Sequence, residues 1–533
     1  MINPRARPCE EQTIRSVRGS VDCAARARGW VLVATILASA VAYVDESVVN
    51  VALPAITKDL AASVAVTQWV INAYTLCLAA FLLTGGAAGD HLGRRRVFIA
   101  GLAVFGLASV WCAFAPSINQ LIVARAIQGI GAALLVPCSL AIIGAVFPEA
   151  ERGRAIGTWA GFSAIAAAIG PLLGGSIVDH FTWRGIFLVN PFPAMLAVWI
   201  AWRHLPESYD PEAPPGIDWF GSLLAFAALG SIAFGLIALP DSGARDVSVV
   251  ATLAIGIILL LAFVWHEGRA RSPMMPLALF RSRTFSGINA LTLLLYGALG
   301  GAFFLLPFDL IQVHGYSATL AGTVFLPFTI IVGALSRWSG GLLDRVGARL
   351  PLVVGPALAA AGFALLALAG PATPYWLGFL APMAVVGFGM ALAVAPLTTT
   401  VINAVPAHQT GVASGINNAV ASVASLLAIA IFLAIALGNF NRALDRSLES
   451  SALSSRARET IELAHGQFAA GSSRTNRPDE DLAKADVIIK QALADAIRLS
   501  MLLAASLALA GAACAAFTIR SSDRPSDRPS EGR

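Results

Sequence analysis

Charge is what this sequence has least of. Only 13% of its 533 residues are Asp, Glu, Lys or Arg, where an ordinary soluble domain carries about a quarter. A chain so poor in charge cannot cover about three or four soluble domains, the number its length alone allows. Cysteine is scarce as well. Cys9, Cys23, Cys77, Cys112, Cys138 and Cys514 show no metal-ligand spacing, and those inside apolar runs read as small hydrophobes. The seven histidines lie in loops or at the ends of apolar runs, never in H-E-x-x-H order, so no metal is expected. No G-x-x-x-x-G-K-[ST] loop occurs, which removes the usual ATP-binding loop. These absences argue against an intramembrane hydrolase or another membrane enzyme, and no cofactor is expected. A cleavable secretion signal is also missing, because the apolar run after the arginine-rich start is too long and lacks a cleavage site.

What the chain has instead is apolar sequence. It is 57% hydrophobic with a mean hydropathy of +0.75, so its main solvent is lipid. A spanning helix needs about 20 mostly apolar residues. On that measure spans fall near 30–53, 66–89, 97–115, 119–147, 154–178, 185–203, 217–239 and 248–266. Six more follow near 284–308, 318–340, 350–370, 374–396, 409–437 and 493–519. The expected fold is an all-α integral membrane protein of fourteen spanning helices.

Loop charge tests that count. Arg94, Arg95, Arg96, Arg152, Arg154, Arg203, Arg269, Arg271, Arg281, Arg283, Arg345 and Arg349 all fall on one side, with both chain ends. The short loops of the other side hold only Lys58, Arg184 and Arg245. The positive-inside rule makes the first side cytoplasmic. It also accounts for the net charge of +5 without a nucleic-acid partner. Dropping one span would put Arg520, Arg524, Arg528 and Arg533 outside. One outer segment, 438–492, is long, mixed in charge and expected to be partly helical and solvated.

Within the first span, Asp45 and Glu46 stand side by side as its only charged residues. An acid at the centre of a spanning helix costs about 2.5–3.5 kcal/mol, so a function is expected of the pair. Arg125 lies inside the fourth span and is the natural counter-charge; snorkelling to the headgroups is the plainer alternative. Neighbouring helical residues point about 100° apart, so the two acids need not serve one site. Asn50 shares a face with Glu46. Asn50, Tyr74, Gln128, Asn289, Tyr296 and Asn417 form a possible pocket, with Gln68, Asn72 and Asn418 as further polar residues at span depth. Each is as readily a helix-to-helix hydrogen bond. Asp309, near the outer end of a later span, is most simply a solvated interfacial acid, a second site being the alternative.

An internal repeat organises the spans. Gly86, Asp90, Gly93 and Arg95 recur as Gly340, Asp344, Gly347 and Arg349 at a constant offset of 254 residues. Gly153 and Gly157 pair more faintly with Gly411 and Gly415, 258 residues on. A duplicated six-helix unit with two helices inserted between the copies explains both. The expected layout is a basic tail (1–29), an N-terminal bundle (30–203), two inserted helices (217–266), a C-terminal bundle (284–519) and a tail (520–533). Repeated halves with a site near the midplane are the architecture of secondary transporters. A non-transporting receptor would not need that repeat.

Four stretches carry a family resemblance. "VDESVVNVALP" begins at Val44, "GAAGDHLGRRR" at Gly86, "RAIQGIGAA" at Arg125 and "GFSAIAAAIGPLLGG" at Gly161. In that order they resemble the signatures of the major facilitator superfamily, and within it the fourteen-span drug:proton antiporters. The resemblance implies a proton-coupled exporter of lipophilic or cationic drugs, or other toxic small molecules, in the cytoplasmic (inner) membrane. Export of one endogenous metabolite, or proton-coupled uptake, is the alternative. It implies proton coupling or substrate contact at Asp45, Glu46 and Arg125, with Asp45 at the family's acidic position. It also implies a gating loop at Gly86, Asp90, Gly93, Arg94 and Arg95. Gly161, Gly170, Pro171, Gly174 and Gly175 would form the antiporter motif, a pliable, close-packed helix. A topology signal and a static packing seam are the plainer readings of these last two. The partners implied are a small-molecule substrate, protons and the lipid bilayer; no adaptor protein on the outer side is named by the sequence.

Overall fold

The computed structural model describes residues 25–209, 216–243, 245–370, 373–405, 409–450, 454–465 and 480–519. Most of the two tails, including Cys9 and Cys23, lies outside the described residues. The helices run α1 Ala25–Asp59, α2 Val64–Leu92, α3 Arg94–Ala113, α4 Ile118–Val146, α5 Glu149–His180, α6 Gly185–Leu188 and α7 Pro191–His204. Next come α8 Trp219–Ser242, α9 Val247–Glu267, α10 Arg283–Phe308, α11 Ala318–Thr323 and α12 Leu326–Val346. The last five are α13 Arg349–Ala367, α14 Ala381–Asn403, α15 Thr410–Ser450, α16 Ser455–Ala464 and α17 Glu480–Thr518. Among the described residues, fourteen helical stretches are long and apolar enough to cross a membrane, the number the apolar runs predict.

Local chemistry sets where these helices begin. Ser117, Ser282, Ser317 and Ser454 each accept the backbone N–H of the third residue of the helix that follows, satisfying donors that have no partner inside the helix. Ahead of α9, hydrogen bonds from the Ser248 hydroxyl and then its N–H hold the Asp246 carboxyl below its ordinary range. Gly93 and Gly347, equivalent in the repeat, join α2 to α3 and α12 to α13 with φ of 105° and 75°. Only glycine adopts such angles without strain. The side chain of Asp344 lies outside the described residues.

Two elements depart from the sequence reading. The sixth span is not one helix: α6 and α7 part at Val189–Asn190, where Pro191 offers no N–H to continue the ladder. The outer segment expected from 438 to 492 is largely continuous with its spans, since α15 reaches Ser450 and α17 starts at Glu480. At 1.5 Å per residue, the 41 residues of α15 extend about 60 Å, twice a bilayer core of about 30 Å. Hydropathy marks where lipid ends, whereas helix-forming residues carry the helix onward.

The chain divides into two compact units. One takes in the chain up to Val49 with Val70–Leu229 and Ile258–Leu277; the other takes in Asn50–Trp69, Gly230–Ile257 and the chain from Ala278 onward. The first has a core of Val31, Ala38, Phe98, Phe105, Leu135, Ile142, Trp159 and Ile200, among others. Within it the N-terminal end of α8 is fastened to its neighbours. His266 Nε2 lies 3.0 Å from the Asp218 carboxylate, the Gly221 N–H donates to that carboxylate at 2.8 Å, and the Ser222 and Thr84 hydroxyls bond to each other.

Candidate functional site

The charges at mid-span meet in the first unit. Arg125 Nη1 donates to Asp45 Oδ2, and the pair is almost fully buried, at 1% and 2% exposure. Asp45 Oδ1 accepts two more hydrogen bonds, from Gln128 Nε2 at 2.9 Å and Asn190 Nδ2 at 2.7 Å. Gln128 Oε1 accepts from Arg125 Nη1 at 2.7 Å. Ser109 Oγ accepts from Asn190 at 3.0 Å and from Gln128 at 3.3 Å, and donates to the Phe187 carbonyl at 2.9 Å. The guanidinium also donates from Nε to the Val70 carbonyl at 2.9 Å and lies 4.3 Å over the Tyr74 ring. Five spans therefore converge on this buried pair: α1, α2, α3, α4 and the break between α6 and α7 supply its partners, and α5 supplies none of these hydrogen bonds.

Glycine makes this convergence possible. A Cβ on Gly129 would collide with the backbone carbonyl of Tyr74, and one on Gly131 would come within 2.7 Å of the Phe105 nitrogen. The fifth span approaches from the other side. A Cβ on Gly170 would strike Ser47 Oγ, and one on Gly174 would stand 3.0 Å from the Val48 carbonyl. Thus α5 lies directly on the turn of α1 that carries the acids. Glu46, one position on from Asp45, is exposed.

The loop after α2 is held by an acid the sequence reading passed over. Glu207, three residues beyond α7, accepts the Arg95 backbone N–H at 3.0 Å. It also pairs with the Arg95 and Arg96 guanidinium groups at 3.7 and 3.5 Å. A side chain at Gly93 would meet Glu207 Oε1 at 2.6 Å. Asp90 pairs with Arg94 at 2.7 Å, one helical turn away.

A family model described as Major Facilitator Superfamily matches residues 35–429. The chain belongs to the Major Facilitator Superfamily. It is 34% identical over 419 residues to the multidrug resistance protein Stp of Mycobacterium tuberculosis, covering 78% of each chain. It is 36% identical over 417 residues to the puromycin resistance protein pur8 of Streptomyces alboniger, covering 77% of this chain and 82% of that protein. In fold it resembles a bacterial homologue of the human lysosomal transporter Spinster, with a TM-score of 0.66 at 16% identity over 92% of this chain and 98% of that one.

The other residues singled out in the sequence of this superfamily member fall in separate places. Tyr74 and Gln128 belong to the Asp45 network. Asn417 instead donates to Asn289 at 3.2 Å and to Thr292 at 2.8 Å, a buried helix-to-helix bond in the second unit. Tyr296 and Asn50 are half-buried, and Asn418 is exposed. Gln68 and Asn72 are buried with no side-chain hydrogen-bond partner among the described residues. In the loop motif, Gly86 has only an ordinary contact, 3.6 Å to Pro137 Cβ; the close approach there belongs to Gly89, whose Cβ would meet Cys138 Sγ at 2.6 Å. In the fifth-span motif Gly161 faces open space, while Pro171 and Gly175 are buried. Two members of the network went unread, Ser109 and Asn190. The one signal for Asn190 is its place before Pro191, inside an apolar run.

Proposed function

We propose that this chain is a proton-coupled antiporter that exports lipophilic or cationic drugs across the cytoplasmic membrane, with both chain ends inside. Its helices form two six-helix bundles with α8 and α9 inserted between them. The relatives named for multidrug and puromycin resistance support drug export. The observation that carries proton coupling is the Asp45 network. A carboxylate facing three N–H donors is an acceptor only. Adding a proton turns one of its oxygens into a donor, and Arg125, Gln128 and Asn190 cannot all remain in place. Proton binding therefore has a structural consequence on several spans at once. Gly170 and Gly174 place α5 where that rearrangement is felt.

Glu46, exposed beside this buried group, is the acid placed to meet substrate. A carboxylate there favours cations, since an opposite charge at mid-membrane relieves the cost of an isolated one. Arg95, Arg96 and Glu207 hold the loop motif, and Asp90 with Arg94 completes it as a gate element. The test is dye efflux from cells lacking their own pumps. Cells expressing the chain should accumulate several-fold less of a cationic dye, and collapsing the pH gradient should erase the difference. Efflux that persists without a proton gradient would overturn the coupling.

A further inference from the structure

A second buried acid lies far from the Asp45 network along the chain. Asp309 stands at the end of α10 remote from Arg283, where the helix loosens into the π-turn Asp309–Val313. It is not the solvated interfacial acid that its place in the sequence suggested. Asp309 is 8% exposed and faces His314, whose side chain is 4% exposed. The His314 Nδ1 is 3.7 Å from the Asp309 carboxylate and 3.2 Å from the Asp309 carbonyl. With two oxygens before it, Nδ1 carries the hydrogen of the neutral ring, and the lone pair falls to Nε2. That Nε2 is buried and has no hydrogen-bond partner among the described residues. Gln312 Oε1, in the same turn, is likewise buried and unpartnered.

Aromatic rings surround the imidazole. Tyr316 stacks on it at 5.7 Å between centroids, and Phe379 meets it at 4.9 Å with the planes near perpendicular. Tyr375 stands behind Tyr316 at 5.3 Å. Rings within about 6 Å favour a cation over a neutral group. Among the described side chains of the helices packed on the turn, the other charged groups are exposed or paired elsewhere. The π-turn packs on α10, α11 and α17. Beyond Tyr296, α10 bears no titratable group before Asp309, and α11 bears none. On α17, Lys484, Asp495 and Arg498 are exposed, and Asp486 pairs with Lys490. Tyr316 and Tyr375 are the remaining titratable neighbours.

We propose that Asp309 and His314 form a second proton-binding site, loaded from the end of α10 remote from Arg283. With the imidazole neutral, the pair bears one uncompensated negative charge in a poorly solvated place. A proton accepted at Nε2 makes an imidazolium–carboxylate pair of zero net charge, which costs less to bury than a lone carboxylate. The backbone links the site to its helix, because the His314 N–H donates to the Asp309 carbonyl at 3.1 Å and the Tyr316 N–H to the Leu310 carbonyl at 3.0 Å. Such π-turns concentrate at functional sites. The site's effect on flux rests on the antiport reading above; its proton affinity does not.

The test is a proton count on the purified full-length protein in detergent, moved from pH 8 to pH 5 in weak buffer with an indicator dye. His314→Gln should take up about one proton fewer per chain than the wild type, because histidine is the side chain whose charge ordinarily changes across that range. Asp309→Asn should shift the midpoint of the histidine proton down by about one pH unit, having lost the carboxylate that favours the imidazolium. Should His314→Gln fail to fold, the midpoint in Asp309→Asn still decides the matter. An uptake curve unchanged by either substitution overturns the site. A lost proton together with flux that ignores the pH gradient would keep this site and reject antiport alone.

Discussion

At the scale of single residues, two adjacent acids have opposite surroundings. Asp45 has three N–H donors and a guanidinium counter-charge, all buried; Glu46 is exposed. Removing one member of a buried ion pair leaves the other uncompensated, at a cost of about 3–5 kcal/mol. Asp45→Asn does this to Arg125 and also turns an amide NH2 toward donors. It should lower the thermal stability of the detergent-solubilised protein and abolish the protons released when substrate is added. Glu46→Gln leaves the buried Asp45–Arg125 pair itself intact. It should leave stability and proton release near the wild type while narrowing the substrate range, chiefly against cations. Proton release measured on both variants separates the roles. Release that survives Asp45→Asn but disappears in Glu46→Gln would reverse them.

At the scale of helices, the fifth span shows that one motif can contain both a contact and a vacancy. Gly170 touches α1 between Val44 and Ser47, whereas nothing lies within 4 Å of a Cβ on Gly161. Forcing extra carbon into a tight helix contact costs about 1–3 kcal/mol. Gly170→Ala should therefore reduce both thermal stability and efflux, while Gly161→Ala should leave both unchanged. Equal effects of the two would mean that α5 does not bear on α1 through Gly170. Sequence spacing reveals the motif but not this difference, because spacing does not say which side of the helix has a neighbour. The same limit hid Asn190 and Ser109. A short polar side chain in an apolar run looks like any other helix-to-helix bond, and only the break between α6 and α7 turns Asn190 toward Asp45. Arg125, by contrast, is legible at once, because a full charge at mid-span must find an opposite one.

For the whole molecule, apolar length and loop charge made the fourteen spans legible, since the bilayer imposes both signals on any chain that crosses it. The ends of α15 and α17 escaped because they are helical beyond lipid, where hydropathy has nothing to report. The proposed direction across the membrane rests on arginine placement alone and yields the last prediction. Cys77, Cys112 and Cys138 are buried free thiols, and Cys514 is half-buried. With Cys9 and Cys23, which lie outside the described residues, replaced by serine, the native background should therefore react little with a membrane-impermeant maleimide. Arg245 lies between α8 and α9, and Arg271 follows α9, so one helix separates two exposed positions. Arg245→Cys should be labelled from outside intact cells, and Arg271→Cys only after permeabilisation. The reverse pattern would invert the chain in the membrane and put Arg94, Arg95 and Arg96 outside. Labelling of both from outside would mean that α9 does not cross, which leaves thirteen spans and places the two chain ends on opposite faces.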